Sequence, residues 1–176
     1  KEVALRVSPS ARVLIRGPTR STLYDAYAEL PRMVEWSPLL SHVTFDIETR
    51  RSTWDLRVPR PLHWLWAAAN MGAPTVTWTA VNLVEEPPCL LRWKSCSGYE
   101  NEGEVTFEAV ASTEPWPVTN MTLCLSYPLP RMARPLLQNR AVQGFIKKTM
   151  RSTMLTFAGV MESKAAAAME SAAAAR

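Results

Sequence analysis

The chain has 176 residues, of which 47% are hydrophobic and 20% are charged, a composition usual for one globular domain with a sizeable core. The net charge of +4 is mild, and no basic stripe alternates with exposed aromatic residues, so nucleic-acid binding is not expected. The 3 cysteines and 2 histidines lack metal-ligand spacing, so no metal site is expected, and no motif identifies a cofactor. No apolar run reaches the length of about 18 residues that crosses a bilayer, so we expect no transmembrane segment.

The first part of the chain predicts an arm, a strand and a helix. Residues 1–11 show no clear periodicity and are interpreted as an N-terminal arm. Arg12–Arg16 is rich in branched residues and predicts the first strand. The apolar residues of Leu23–Leu30 recur at helical spacing, and Thr19 or Ser21 can cap this helix. A proline ends the helix, and one further helical turn is expected after it.

Six later segments alternate apolar and polar residues, which is typical of strands with one buried face. These segments lie at Val43–Ile47, Trp54–Val58, Thr75–Val84, Leu91–Lys94, Val105–Phe107 and Met121–Tyr127. Because short turns join most of these strands, the pattern predicts an antiparallel meander.

Residues 59–74 interrupt the alternation with an apolar insertion. Its middle, Leu62–Met71, is apolar on all sides and is short for an ordinary helix. It either covers one end of the core as a helical turn, or forms an exposed patch that docks to a membrane interface or a hydrophobic partner. The docking alternative would use Leu62, Trp64, Leu65 and Trp66.

The stretch Arg131–Met161 predicts one long helix with two different faces. Its apolar stripe is formed by Val142, Phe145, Ile146, Met150, Met154, Phe157 and Met161. The opposite face is cationic and carries Arg140, Lys147, Lys148 and Arg151. The strands before this helix predict an α+β fold in which a sheet wraps around it. Residues 162–176 are mostly alanine and are interpreted as a helical extension or tail.

Several stretches, taken in order, resemble one known superfamily. They are Tyr24–Pro31, Glu35–Leu40, Arg51–Leu56, Trp78–Ala80, Arg92–Ser95, Gly98 with Asn101 and Gly103, Val105 with Phe107, and Tyr127 with Pro130. Together they resemble the polyketide cyclase/dehydrase-like branch of the START-like (SRPBCC) superfamily, including cyanobacterial, plastid and coenzyme Q-binding-like members. The resemblance implies a helix-grip domain over residues 12–161. In this fold a curved antiparallel sheet holds a long C-terminal helix, two small helices follow the first strand, and an apolar cavity can hold a lipid, quinone or polyketide.

Three functions follow from these observations, and we expect the first. A non-catalytic module would bind a hydrophobic ligand such as a lipid, quinone or pigment. Its lining would be Trp54, Trp78, Trp93, Met121, Leu123, Tyr127, Phe145 and Met150. An accessory subunit would instead dock to a membrane-associated complex through the insertion and the cationic helix face. The plastid-type resemblance implies an organelle, the chloroplast before the mitochondrion.

The third function is a cyclase-type enzyme. Its polar groups would come from Asp55, Arg57, Tyr127 and Tyr27. Alternation puts Asp55 and Arg57 opposite the tryptophan face, so both are expected to point to solvent. The sequence also lacks a Ser-His-Asp set and a phosphate-binding glycine loop, so we assign no catalytic residue.

Overall fold

The computed structural model describes residues 6–60, 63, 67, 74–128 and 140–175. In this part of the chain, eight strands form one curved antiparallel sheet, and a long C-terminal helix packs against its inner face. The strands are β1 Arg6–Val7, β2 Ser10–Arg16, β3 Leu40–Asp46, β4 Arg51–Arg57, β5 Thr75–Glu86, β6 Leu90–Gly98, β7 Glu102–Ala109 and β8 Val118–Pro128. The helices are α1 Arg20–Ala28, a 3₁₀ helix Leu30–Glu35, and α2 Arg140–Ala174. The predicted α+β helix-grip fold is confirmed.

The sheet order is β1-β8-β7-β6-β5-β4-β3, and β2 also pairs with β8. The strands β3 to β8 therefore form the predicted meander, and β1 and β2 share one edge beside β8. The first strand begins at Ser10 rather than at Arg12, and Arg6–Val7 pairs with Tyr127–Pro128. Part of the predicted N-terminal arm thus adds to the sheet edge.

The two small helices follow β2 as expected. Thr19 is the N-cap of α1, because its side chain accepts a hydrogen bond of 3.2 Å from the backbone N–H of Thr22. The apolar positions Leu23, Tyr24 and Tyr27 are buried. The 3₁₀ helix supplies the predicted further turn.

The second half of α2 closes the core at one end of the sheet. Arg16 donates its backbone N–H to the Glu162 carboxylate over 2.8 Å. Phe157 contacts two aromatic rings, with its centroid 5.6 Å from that of Tyr27 in α1 and 5.0 Å from that of Trp36, which follows the 3₁₀ helix. From Met150 onward the predicted apolar stripe is buried, namely Met150, Met154, Phe157 and Met161.

The alanine-rich residues after Glu162 continue α2 as far as Ala174, and those from residue 166 onward are exposed. Among the described residues, no helix is long and apolar enough to cross a membrane.

One strand prediction is wrong at its end. Phe45 and Ile47 were expected on the buried face of the strand Val43–Ile47, but their side chains are 37% and 82% exposed, and β3 ends at Asp46. The Asp46 carboxylate accepts the backbone N–H groups of Glu48 and Thr49 at 2.9 and 3.3 Å. These bonds form a turn that competes with strand extension.

Candidate functional site

Three tryptophans share the inner face of the sheet, which is the face that packs against α2. Trp54 on β4 pairs with Trp78 on β5, and Trp93 on β6 pairs with Gly103 on β7. Trp54 and Trp93 pack against the buried core without being buried themselves. The alternation predicted for these strands is confirmed, and we call Trp54, Trp78 and Trp93 the tryptophan platform.

Two rings of the platform are parallel and one of them is held by hydrogen bonds. The Trp54 and Trp78 rings have centroids 5.9 Å apart and planes within 4° of parallel. Trp54 Nε1 donates to Ser52 Oγ over 2.7 Å, and Ser52 Oγ donates to the Ala80 carbonyl over 3.2 Å. Because Ser52 is only 2% exposed, this chain of bonds fixes the Trp54 ring.

Burial differs sharply between the two halves of the inner face. Where α2 packs, the inward side chains of β2, β7 and the first part of β8 are almost fully buried, as at Ile15, Val105 and Met121. At the end of β8 the inward side chains Leu125 and Tyr127 are only half-buried. On β4, β5 and β6 the inward side chains nearest the other end of the sheet are only half-buried, namely Leu56, Val76 and the platform tryptophans, whereas Ala80 and Leu91 on the same face are buried. The inner face thus has a closed half, where α2 packs, and an open half, which carries the platform.

The first turns of α2 lie toward the same end of the molecule as the open half. Ala165 approaches Gly17, which follows the end of β2, so the preceding residues of α2 run back along the sheet. At about 1.5 Å per residue, Phe145 is about 25 Å along the helix from Glu162. Phe145 and Ile146 are half-buried, in contrast to Met150 and the later stripe.

Two tyrosines border the open half at the end of β8. The Tyr99 and Tyr127 rings have centroids 6.4 Å apart, and the Tyr99 hydroxyl donates to the Pro128 carbonyl over 3.1 Å. Burial raises the pKa of Tyr99 to about 12, with a smaller contribution from Tyr127. Burial also raises the pKa of Tyr127. Both phenols are therefore neutral at pH 7 and act as hydrogen-bonding groups rather than anions.

The four residues considered for cyclase chemistry do not converge. Asp55 pairs with Thr77 on the outer face of the sheet and accepts the Thr77 hydroxyl over 2.6 Å. Arg57 alternates with Leu56 and is exposed. Tyr27 is buried in the closed half. Of the four, only Tyr127 lies on the open half of the inner face.

Sequence reasoning missed two residues that shape the platform. A Cβ atom at Gly103 would overlap the indole of Trp93, so glycine allows this ring to lie flat across β7. A glycine inside a strand pattern was the available signal. No sequence signal pointed to Ser52, because its role depends on which residues lie beside it on the neighbouring strand.

The other predicted ligand residues divide between the two halves. Met121, Leu123 and Met150 are buried in the core cluster, whereas Tyr127 and Phe145 are half-buried. Of the predicted docking residues, Arg140, Lys147, Lys148 and Arg151 are exposed on α2. Leu62, Trp64, Leu65 and Trp66 lie outside the described residues, as do residues 131–139 of the predicted helix. Within the described part of the chain, no group of three or more His, Cys, Asp or Glu side chains is placed to hold a metal ion.

Comparisons with known proteins agree on the fold. No family model matches the sequence, and no curated protein matches it. A protein of known structure from Deinococcus radiodurans is 25% identical, with a TM-score of 0.53 over 82% of this chain and 98% of that chain. A Thermus thermophilus protein is 16% identical, with a TM-score of 0.61 over 90% and 99% of the two chains. The Zhui aromatase/cyclase from Streptomyces sp. R1128 is 10% identical, with a TM-score of 0.62 over 90% and 94%. These likenesses show that the chain shares the helix-grip fold of these proteins, the Zhui aromatase/cyclase among them.

Proposed function

We propose that this protein is a carrier that binds a flat apolar small molecule against the tryptophan platform, below the first turns of α2. The observation that carries the proposal is the contrast in burial on one face of the sheet. Large aromatic side chains are half-exposed on the inner face of the open half, while the closed half of the same face is sealed. Covering such rings with a ligand removes apolar surface from water at about 25 cal/mol per Å².

The chemistry of the open half favours a flat, neutral ligand. Parallel indoles at Trp54 and Trp78 offer a stacking surface, and stacked aromatic pairs contribute about 0.5–1.5 kcal/mol beyond area burial. The bordering phenols, Tyr99 and Tyr127, are neutral at pH 7 because burial raises the pKa of both. A quinone-like or pigment-like molecule fits these properties better than a charged metabolite.

A cyclase-type enzyme remains the main alternative from the structural neighbours, since the Zhui protein is an aromatase/cyclase. Fold alone does not establish activity. The carrier is favoured because Asp55 and Arg57 lie on the outer face and Tyr27 lies in the closed core. Of these four candidates, the open half therefore holds only the phenol of Tyr127, and no acid and base from this set meet there.

Titration with fluorene, a flat hydrocarbon, tests the proposal. We expect saturable quenching of tryptophan fluorescence, because fluorene stacks against the platform. Replacing Trp54 with leucine should weaken the affinity by roughly 3- to 10-fold through loss of one stacked ring. Trp116→Phe is the matched control, since Trp116 is an exposed tryptophan bonded to Glu114 in a loop outside the platform. Quenching that disappears in Trp116→Phe, or that never saturates, would count against the carrier.

We further propose that the cationic face of α2 docks to an anionic membrane surface. Arg140, Lys147, Lys148 and Arg151 are exposed, and none of the ion pairs in the described part of the chain involves them. Unpaired cations near a membrane contribute about 1 kcal/mol each toward binding acidic lipids. A chloroplast location stays part of this proposal.

Sedimentation with vesicles tests the docking proposal. Wild type should bind vesicles containing phosphatidylglycerol at low salt, and the Lys147→Glu/Lys148→Glu variant should lose most of that binding. Lys94→Glu is the control, since Lys94 is an exposed cation on β6 of the sheet. Equal binding by all three proteins would show that the α2 face is not responsible.

A further inference from the structure

The two parallel tryptophans of the platform use their indole N–H groups differently. Trp54 Nε1 donates a hydrogen bond to Ser52 Oγ, and the Ser52 hydroxyl in turn donates one to the Ala80 carbonyl. Trp78 Nε1 is buried and has no hydrogen-bond partner among the residues that the structure describes. The two rings are parallel, but within the described part of the chain only the indole N–H of Trp54 has an acceptor.

A buried donor without an acceptor is unfavourable, and most such groups in proteins are paired. The Trp78 Nε1 atom is sealed from solvent, so bulk water does not replace the missing acceptor in this form of the protein. Ser52 does not serve both rings, because its oxygen already accepts from Trp54. The platform therefore holds one donor whose hydrogen-bonding capacity the protein does not use.

The arrangement of the two parallel rings puts a ligand that stacks on Trp54 beside an edge of Trp78. For parallel rings about 3.5 Å apart in the stacking direction, the centroid separation of 5.9 Å implies that Trp54 and Trp78 are offset sideways. A flat molecule stacked on Trp54 beside Trp78 then lies at the level of the Trp78 ring. It meets that ring at an edge, and an indole N–H donates in the plane of its ring.

From this geometry we propose that Trp78 Nε1 donates a hydrogen bond to an oxygen at the edge of the bound molecule. The ligand class is then narrower than flat and apolar: it carries a carbonyl or another neutral acceptor on its rim. This inference rests on the proposed carrier function and specifies its ligand. Reaching the sealed atom requires the side chains that cover it to shift, so the hydrogen bond forms as the ligand enters.

Ser52 has a separate part in this arrangement. By accepting from Trp54, it leaves the face of that ring free for stacking and keeps its N–H away from the ligand. Ser52 is a positioning residue for Trp54. Of the two parallel tryptophans, Trp78 is the one that donates a hydrogen bond to the ligand oxygen. The two tryptophans should therefore respond differently to a ligand that differs only in its acceptor.

The test compares 9-fluorenone with fluorene, which has nearly the same shape but lacks the carbonyl. Affinities are measured by fluorescence titration for wild type, Trp78→Phe and Trp54→Phe. Wild type should bind fluorenone about 3- to 10-fold more tightly than fluorene, as expected for one net hydrogen bond. Trp78→Phe keeps an aromatic ring but removes the donor, so the ratio of the two affinities should fall to about one. Trp54→Phe should weaken both ligands and keep the ratio.

Each outcome separates this inference from the carrier proposal. If both ligands bind wild type equally, or if Trp78→Phe keeps the preference for fluorenone, the hydrogen bond is refuted and the carrier proposal survives. If the preference disappears in Trp54→Phe but not in Trp78→Phe, the donor has been assigned to the wrong ring. If neither ligand binds wild type, the carrier proposal fails for flat aromatic molecules, and this inference fails with it.

Discussion

Replacing Phe157 with alanine is expected to lower the free energy of unfolding by about 3–5 kcal/mol, the range for truncating a buried phenylalanine. Phe157 is 1% exposed, and its ring makes edge contacts with Tyr27 of α1 and Trp36 after the 3₁₀ helix. Alanine would leave a cavity at the point where α2 meets both small helices. Urea unfolding followed by circular dichroism measures the change.

Leu155→Ala on the same helix is the matched control. Leu155 is 50% exposed, so its truncation should change the free energy of unfolding by much less than that of Phe157. A cost below about 1 kcal/mol for Phe157→Ala, or equal costs for the two variants, would mean that this end of α2 does not hold the core together.

Gly103→Ala is expected to cost about 1–3 kcal/mol in the free energy of unfolding and to displace Trp93. The new Cβ would overlap the Trp93 indole, and overpacking of this kind forces a side chain away from its preferred position. Gly159→Ala is the control, because Gly159 lies on α2 with no atom within 4 Å of an added Cβ. In a helix this control should raise stability by about 0.5–1 kcal/mol.

The cause of the Gly103 effect can be isolated with a second substitution. In a Trp93→Leu background the added Cβ has a smaller side chain to displace, so Gly103→Ala should cost less there than in wild type. A double-mutant cycle from urea unfolding gives the coupling between the two positions. Additive costs would show that Gly103 is needed for a reason other than contact with the Trp93 ring.

Alternation in the sequence was enough to predict the faces of most strands. Trp54 and Trp78 were placed on one side and Asp55 on the other, and the pairing of β4 with β5 confirms this. The apolar stripe of α2 was likewise visible from Met150 to Met161. Both predictions succeed because one buried face imposes a fixed period on a strand or a helix.

The remaining features depend on contacts between distant parts of the chain. The pairing of β5 with β6 shifts register between Asn82 and Val84, and Leu83 is 57% exposed there, although the strand pattern is apolar. The hydrogen bonds of Ser52 join neighbours across β4 and β5, which no local pattern encodes. The contrast between a closed and an open half depends on where α2 packs, and the period of the helix alone does not specify that.

The most direct test of the carrier proposal is the set of tryptophan indole N–H signals in ¹H–¹⁵N spectra during titration with fluorene. The 7 tryptophans report on different parts of the molecule, and single substitutions assign their signals. The carrier proposal predicts that the signals of Trp54, Trp78 and Trp93 shift with a common saturation curve, while those of Trp36 and Trp116 stay in place. Shifts confined to Trp116, or no shift at the platform when fluorene is bound, would contradict it.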